Sequence, residues 1–226
     1  MRRKLIYFVR HGESILNAQG IRQGAEGGLS EKGKLQANAA GERLSRHSFK
    51  VILSSPYIRA KESADIINNC LVKPKKIEYL DLLAERRNPS EIIEKSVKDP
   101  EVQRIVDTID KSYHSDDFRY SDEENFQDLK DRARRLLAYL STRREKHVLV
   151  VTHGIFLRMI AAYILYGESL TASDYNLLSF LNAYNNAAIT ICEYKKPWFG
   201  KPLERPWELI AWDDYMREKG IQSKGI

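Results

Sequence analysis

Two short runs constrain this chain more than anything else in it. Leu5-Ile6-Tyr7-Phe8-Val9 and Val148-Leu149-Val150-Val151 are unbroken stretches of apolar, mostly β-type residues, too short for helices. Runs of this kind read as strands buried on both faces, the signature of a sheet covered by helices on each side. Each ends in the same way. The first gives way to Arg10-His11-Gly12 and the second to Thr152-His153-Gly154.

Between and beyond them the pattern alternates. Val51-Ile52-Leu53 and Ile77 to Leu83 read as further strands, and Ala187 to Tyr194 and Trp207 to Trp212 as two late ones. Ser30 is placed to cap a helix running to about His47, with Leu35, Ala39 and Leu44 facing inward. Ser55-Pro56 has the form of an N-cap followed by a proline in the first turn, opening a helix to about Asn69. Asp99-Pro100 marks a helical restart within a largely helical stretch from 90 to 145. Phe126, Leu129, Ala133, Leu136, Leu137 and Leu140 recur at helical spacing, and Gly154 to Tyr166 is a further helix. Strands alternating with helices predict an α/β fold, a three-layer α/β/α sandwich on a mostly parallel sheet. The expected organisation is one domain over 1–226 with a helical insertion at about 86–122, where Tyr113, Phe118 and Tyr120 pack it onto the body or line a pocket.

Bulk properties narrow the partners. The net charge of +6 favours anions. The basic residues are spread among nearly as many acids, and the runs Lys73 to Lys76 and Arg143 to Lys146 are short, so solvated faces are expected and nucleic acid is not. Two unpatterned cysteines, Cys70 and Cys192, argue against a disulfide framework and for a reducing compartment. Arg10 interrupts the N-terminal apolar run too soon for a signal peptide, and the stretch Ile155 to Tyr166 contains Arg158 and is too short to span a bilayer. A cytoplasmic protein with no membrane partner is the expectation; oligomeric state is not legible.

In open α/β sheets ligands bind beyond the carboxyl ends of the strands. Four such ends present Arg10 and His11, then Arg59, then Glu85, then His153. No acid or cysteine cluster with metal-ligand spacing accompanies them, so neither metal nor cofactor is expected. The set suits phosphoryl transfer. Arg10 and Arg59 grip a phosphate with planar forks, His153 adds a donor if charged, and Gly154 opens a helix whose N-terminus favours anions. His11, as a neutral imidazole, attacks phosphorus, and Glu85 protonates the leaving oxygen. Each residue has a plainer reading: a strand-end histidine satisfied by its neighbours, an arginine or glutamate in a surface ion pair. His47, His114 and His147 show no partner pattern and read as surface or strand-start residues.

Arg10-His11-Gly12-Glu13-Ser14 with Asn17 resembles the signature of the histidine phosphatase superfamily, the phosphoglycerate-mutase-like family. The resemblance continues through Leu29-Ser30-Glu31-Lys32-Gly33, through Ser54-Ser55-Pro56 with Arg59, Ala60 and Ala64, through Glu85, Val150 to Gly154, and Asn186 to Thr190. It implies a phosphohistidine on His11, phosphate contacts from Arg10, Asn17, Arg59 and His153, and a weaker one from Ser14. This chain departs from the family at Glu26-Gly27-Gly28 and after Glu85, where Arg86-Arg87-Asn88-Pro89-Ser90 replaces both the Gly-x-Trp-Glu-Gly-like and the mutase-like Tyr-Gly stretch. Arg86 and Arg87 thereby become candidate contacts for an acidic substrate tail, against the competing reading of a solvated face. The expected activity is metal-independent hydrolysis of a small phosphorylated metabolite. Mutase-type phosphotransfer, a phosphoprotein phosphatase and an inactive phosphate-binding module are the alternatives.

Overall fold

The computed structural model describes residues 1–111, 115–178, 185–199, 201 and 203–214. Tyr113 and His114 lie outside them. A six-stranded sheet has the order β3-β2-β4-β1-β5-β6. Its strands are β1 (Arg2–Arg10), β2 (Val51–Ser54), β3 (Ile77–Tyr79), β4 (His147–Thr152), β5 (Ile189–Lys196) and β6 (Trp207–Asp214). The first four run parallel, with Arg10 opposite Thr152 and Ser54 opposite Val151. β5 and β6 add an antiparallel edge.

Alternation along the strands separates two cores. Ile6, Phe8, Val51, Leu53, Val148 and Val150 face α5 (Phe126–Thr142) and α6 (Gly154–Tyr166). Tyr7, Val9, Ile52, Leu149 and Val151 face α2 (Glu31–Leu44) and α3 (Ile58–Cys70). Both faces of the central strands are buried, which is why their sequence is apolar without alternation. The α/β/α sandwich with a mostly parallel sheet is therefore as expected.

Several local expectations needed tertiary correction. Ser30 does cap α2, its hydroxyl accepting the Gly33 N–H at 3.0 Å. The inward face is instead Gly33, Gln36, Ala37, Ala40, Gly41 and Leu44, while Leu35 is 63% exposed. The small residues let α2 approach α3 closely: a Cβ on Gly41 would lie 2.7 Å from the Cys70 sulfur. Ser55 does not cap α3. Tyr57 holds the cap position without a side-chain bond, and the Ser55 hydroxyl accepts the Tyr57 N–H at 3.2 Å, ahead of the helix. β3 stops at Tyr79, and Asp81–Leu83 forms a 3-10 turn tied to β4 by the Thr152 hydroxyl donating to the Leu83 carbonyl at 2.8 Å.

The segment between β3 and β4 contains a 3-10 turn, Ser90–Ile92, and α4 (Pro100–Lys111). α4 restarts at Pro100 as anticipated, with the Asp99 carboxylate accepting the Glu101 N–H at 2.8 Å. Ile92, Val102, Ile105 and Ile109 form a small separate core joined by Tyr120. Residues 115–125 are turns, so the helical reading of 90–145 was too broad. Among the described residues no helix is long and apolar enough to cross a membrane.

Candidate active site

β1 and β4 are neighbours in register, so the residues that follow them meet. The His11 amide donates to the Thr152 carbonyl at 3.0 Å, and the His11 and His153 rings lie 4.9 Å apart. Both histidines are buried. Next in the sheet, the Ser55 amide donates to the Val151 carbonyl at 3.0 Å, which turns the chain into α3 and carries Arg59 inward. Arg59 is 2% exposed.

Two hydrogen bonds define the state of His11. Its Nδ1 lies 2.6 Å from the Gly12 carbonyl oxygen, which can only accept, so Nδ1 carries the proton. Nε2 then holds the free lone pair, and the Arg59 Nε–H donates to it at 3.2 Å. Burial first, then the charges of Arg59 and Arg10, hold the His11 pKa well below its ordinary value. His153 is held low in the same way, by burial first and then by Arg59. His153, expected to add a donor if charged, is thus a neutral ring in the free protein. Its Nε2 hydrogen-bonds the Ser55 hydroxyl at 2.8 Å, and the Tyr57 ring stands 5.1 Å away. Burial brings the Arg59 pKa down to about 10, which leaves the guanidinium charged at neutral pH. Its Nη1 donates to the Gly24 carbonyl at 2.8 Å.

The glycines of the two outer motif segments explain each other. A Cβ on Gly12 would sit 2.2 Å from the Gly33 carbonyl oxygen, and one on Gly33 would sit 1.9 Å from that of Glu13. The loop after β1 and the first turn of α2 pass backbone against backbone, which only glycine permits at both positions. The Ser63 hydroxyl accepts the Gly12 N–H at 3.0 Å and Gln36 accepts that of Glu13 at 2.8 Å.

Glu85 sits in the turn after the 3-10 segment, not directly at a strand end. Its carboxylate accepts the Phe156 N–H at 3.0 Å, the Ile155 N–H at 3.3 Å and the Arg86 N–H at 2.9 Å. The N-terminus of α6, beginning at Gly154, was expected to attract a substrate anion. Here the first-turn donors are taken by the oxygens of the Glu85 carboxyl itself, since helix-start N–H groups with no partner in the helix need an acceptor. Ser14 and Asn17 belong to a third cluster. Ser14 caps α1 (Ile15–Ala18), its hydroxyl lies 3.0 Å from both Asn17 Oδ1 and Gln23 Oε1, and the Gln23 amide donates to Asn17. Arg86 is half-buried beside Glu85, with Nη2 3.3 Å from Asn88 Oδ1. Arg87 is exposed and donates to the Asp122 carbonyl at 2.7 Å.

Sequence reasoning missed four contributors. Ser55 and Ser63 were read as helix-start and helix residues; they orient His153 and Gly12. Arg132 pairs with Glu124 at 2.7 Å and donates to the Ala84 carbonyl at 2.6 Å, bracing the turn that carries Glu85. Asn186 donates to the His11 carbonyl at 3.1 Å. Ser55-Pro and Asn186 stood inside recognisable segments, but Arg132 carried no local signal beyond its place on a helix. Among the described residues no group of His, Cys, Asp and Glu is placed to hold a metal ion.

Buried imidazoles and arginine charge thus meet at the carboxyl ends of parallel strands, where open α/β sheets bind ligands. The chain belongs to the histidine phosphatase superfamily (branch 1), whose family model matches residues 6–199. It is accordingly a phosphatase, a hydrolase of phosphoric monoesters. It is 34% identical over 229 residues to a metal-independent phosphoserine phosphatase of Arabidopsis thaliana, covering 98% of this chain and 87% of that one. It is 43% identical over 91 residues to the fructose-2,6-bisphosphatase TIGAR of Xenopus laevis, a match spanning 38% of this chain and only 33% of that protein. Among solved structures, the mycobacterial glucosyl-3-phosphoglycerate phosphatase superposes with a TM-score of 0.73 at 22% identity, over 94% of this chain and 100% of that one, a likeness of fold.

Proposed function

We propose that this chain hydrolyses the phosphate monoester of a small metabolite through a phosphohistidine on His11, without a metal ion. The observation that carries the reading is the Arg59 Nε–H on His11 Nε2. It places the lone pair of a neutral imidazole beside a guanidinium that can grip the group to be attacked. An arriving phosphate takes the Arg59 donor for its own oxygens and frees Nε2. Nε2 then attacks phosphorus in line, the ester P–O bond breaks, and the Glu85 carboxyl gives its proton to the departing oxygen. Water next attacks phosphorus, the P–N bond breaks, Glu85 takes a proton from that water, and inorganic phosphate leaves. Arg10, Arg59 and His153 stabilise the equatorial oxygens, with Asn17 and Ser14 contributing from the α1 side and Gly154 from the start of α6.

The Arabidopsis relative's name supports both metal independence and a small substrate. Arg86 and Arg87 are assigned to an acidic substituent of that substrate. The engagement of Arg87 with Asp122 favours Arg86. We also assign the whole chain to one domain with residues 86–122 inserted, and its location to the cytoplasm, supported by the free cysteines Cys70 and Cys192.

The test is hydrolysis of p-nitrophenyl phosphate and a panel of metabolite phosphates, with and without EDTA, by the wild type and His11→Ala. Unchanged activity in EDTA and loss of at least about a thousandfold in His11→Ala are expected. EDTA-sensitive turnover would sink the metal-independent mechanism, and an active His11→Ala would remove the nucleophile. Isomerisation of phosphoglycerate without phosphate release would make the chain a mutase.

A further inference from the structure

The edge strand β6 lies beyond the residues matched by the family model, yet its end reaches the site. Its pairing with β5 is irregular: Ile189 is opposite Asp214, Ile191 opposite Ala211 and Cys192 opposite Leu209, so β6 carries extra residues there. Such bulges re-aim side chains and are common beside active sites. Asp213, in this bulge, has φ +49°, and Ala187 has φ +59°. Two non-glycine residues in the left-handed region within one small cluster mark a conformation the surroundings enforce.

The Asp213 amide is held by the Thr190 hydroxyl at 3.2 Å. Its half-buried carboxylate accepts the Asn185 backbone N–H at 2.9 Å and the Asn185 side-chain amide at 2.7 Å. The turn so fixed continues at once into the site. The Ala187 N–H donates to the Arg10 carbonyl at 3.0 Å, and Asn186 to the His11 carbonyl at 3.1 Å. The charge of Arg10 also acts on Asp213. The next residue, Asp214, is instead turned outward to the exposed pair with Arg43 at 2.5 Å.

We propose that Asp213 is a positioning residue for the phosphate site, holding the 185–187 turn through Asn185 so that Arg10 and His11 keep the geometry that grips a phosphate. The inference rests on the reading that Arg10 and His11 bind phosphate. Asp213 touches no substrate. It acts through Asn185 on the backbone of the two residues that do, and by charge on the Arg10 side chain.

The experiment compares Asp213→Ala, Asn185→Ala, their double variant, Asp214→Ala and His11→Ala with p-nitrophenyl phosphate, and measures inhibition by inorganic phosphate. Folding is checked by circular dichroism. Asp213→Ala and Asn185→Ala are each expected to lower kcat/KM and weaken phosphate inhibition by about tenfold, the scale of one charge-assisted hydrogen bond. The double variant should be no worse than either single one, because both break the same connection. Asp214→Ala loosens the strand end without touching the turn and should stay near wild type. Phosphate inhibition in Asp213→Ala within twofold of wild type would overturn the proposal. So would multiplicative losses in the double variant, or an equal loss in Asp214→Ala. Asp213→Asn, closest in shape but lacking the charge and offering an amide to the Asn185 amide, carries the same expectation if Asp213→Ala does not fold. Activity surviving in His11→Ala would instead strike the underlying phosphate-site reading.

Discussion

Acidification should destabilise this fold through His11 and His153, and the size of the effect follows from their burial. Both rings are essentially inaccessible, and burial with nearby arginine charge holds their pKa values well below 6.5. In the unfolded chain they titrate normally. The unfolded state therefore binds more protons than the folded one below neutrality, so stability falls as pH falls. The contribution is intact above the unfolded pKa and is lost progressively from there down to the depressed folded pKa. Between about pH 7.5 and about pH 5.5 the unfolded-state pKa sets a ceiling of about 1.4 kcal/mol on the cost at each histidine, about 2.7 kcal/mol for the two. At an unfolding entropy of about 2.1 cal/mol/K per residue, that ceiling corresponds to about 6 °C of Tm for a chain of 226 residues. The assay is a series of thermal melts across this range for the wild type and for His11→Asn/His153→Asn. Carboxylates and the other histidines cancel in the difference between the two slopes. Parallel slopes would refute the reasoning, because the histidines would then not be held neutral by the fold. Saturating inorganic phosphate should flatten the wild-type slope, since a bound anion restores the attraction for protons at both rings.

Three further outcomes are expected. Gly12→Ala drives a Cβ to 2.2 Å from the Gly33 carbonyl oxygen, so the loop and α2 must part; urea denaturation should register a loss of about 2–3 kcal/mol, accompanied by a collapse of turnover. Arg132→Ala removes the guanidinium from the Glu124 carboxylate, which is 16% exposed and keeps only the Arg87 N–H of its described partners; a cost of about 3 kcal/mol is expected by the same method, with Glu124→Gln in the same chain recovering part of it. Ser55→Ala removes the bond to His153 Nε2; kcat should fall about tenfold in a steady-state assay while Tm changes by no more than about 2–3 °C.

Much of this protein was determined by local sequence. Leu5 to Val9 and Val148 to Val151 carry their strand identity in their own side chains, because a residue buried on both faces of a sheet must be apolar at every position. His11 and His153 follow them, so parallel pairing of those two strands was enough to bring the rings together. The glycines at 12 and 33 were visible as motif residues, though their reason, a mutual backbone approach, was not. Tertiary structure decided the rest. Leu35 sits at a helical apolar spacing yet faces solvent, because the close approach of α2 to α3 selects small residues such as Gly41. Ser55 carries every local mark of a cap but bonds a histidine 98 positions away. Glu85 looked like a strand-end acid, but its carboxyl docks against the first turn of α6, while Arg132 braces it from a helix whose pattern advertises only packing. Asp213 is the extreme case, since nothing local marks it; a bulge in an antiparallel edge strand turns it toward Asn185. Apolar periodicity and cap chemistry act over a few residues and can be read in order. Which distant backbone a polar side chain finds depends on sheet order, register and bulges, and these exist only once the chain has closed on itself.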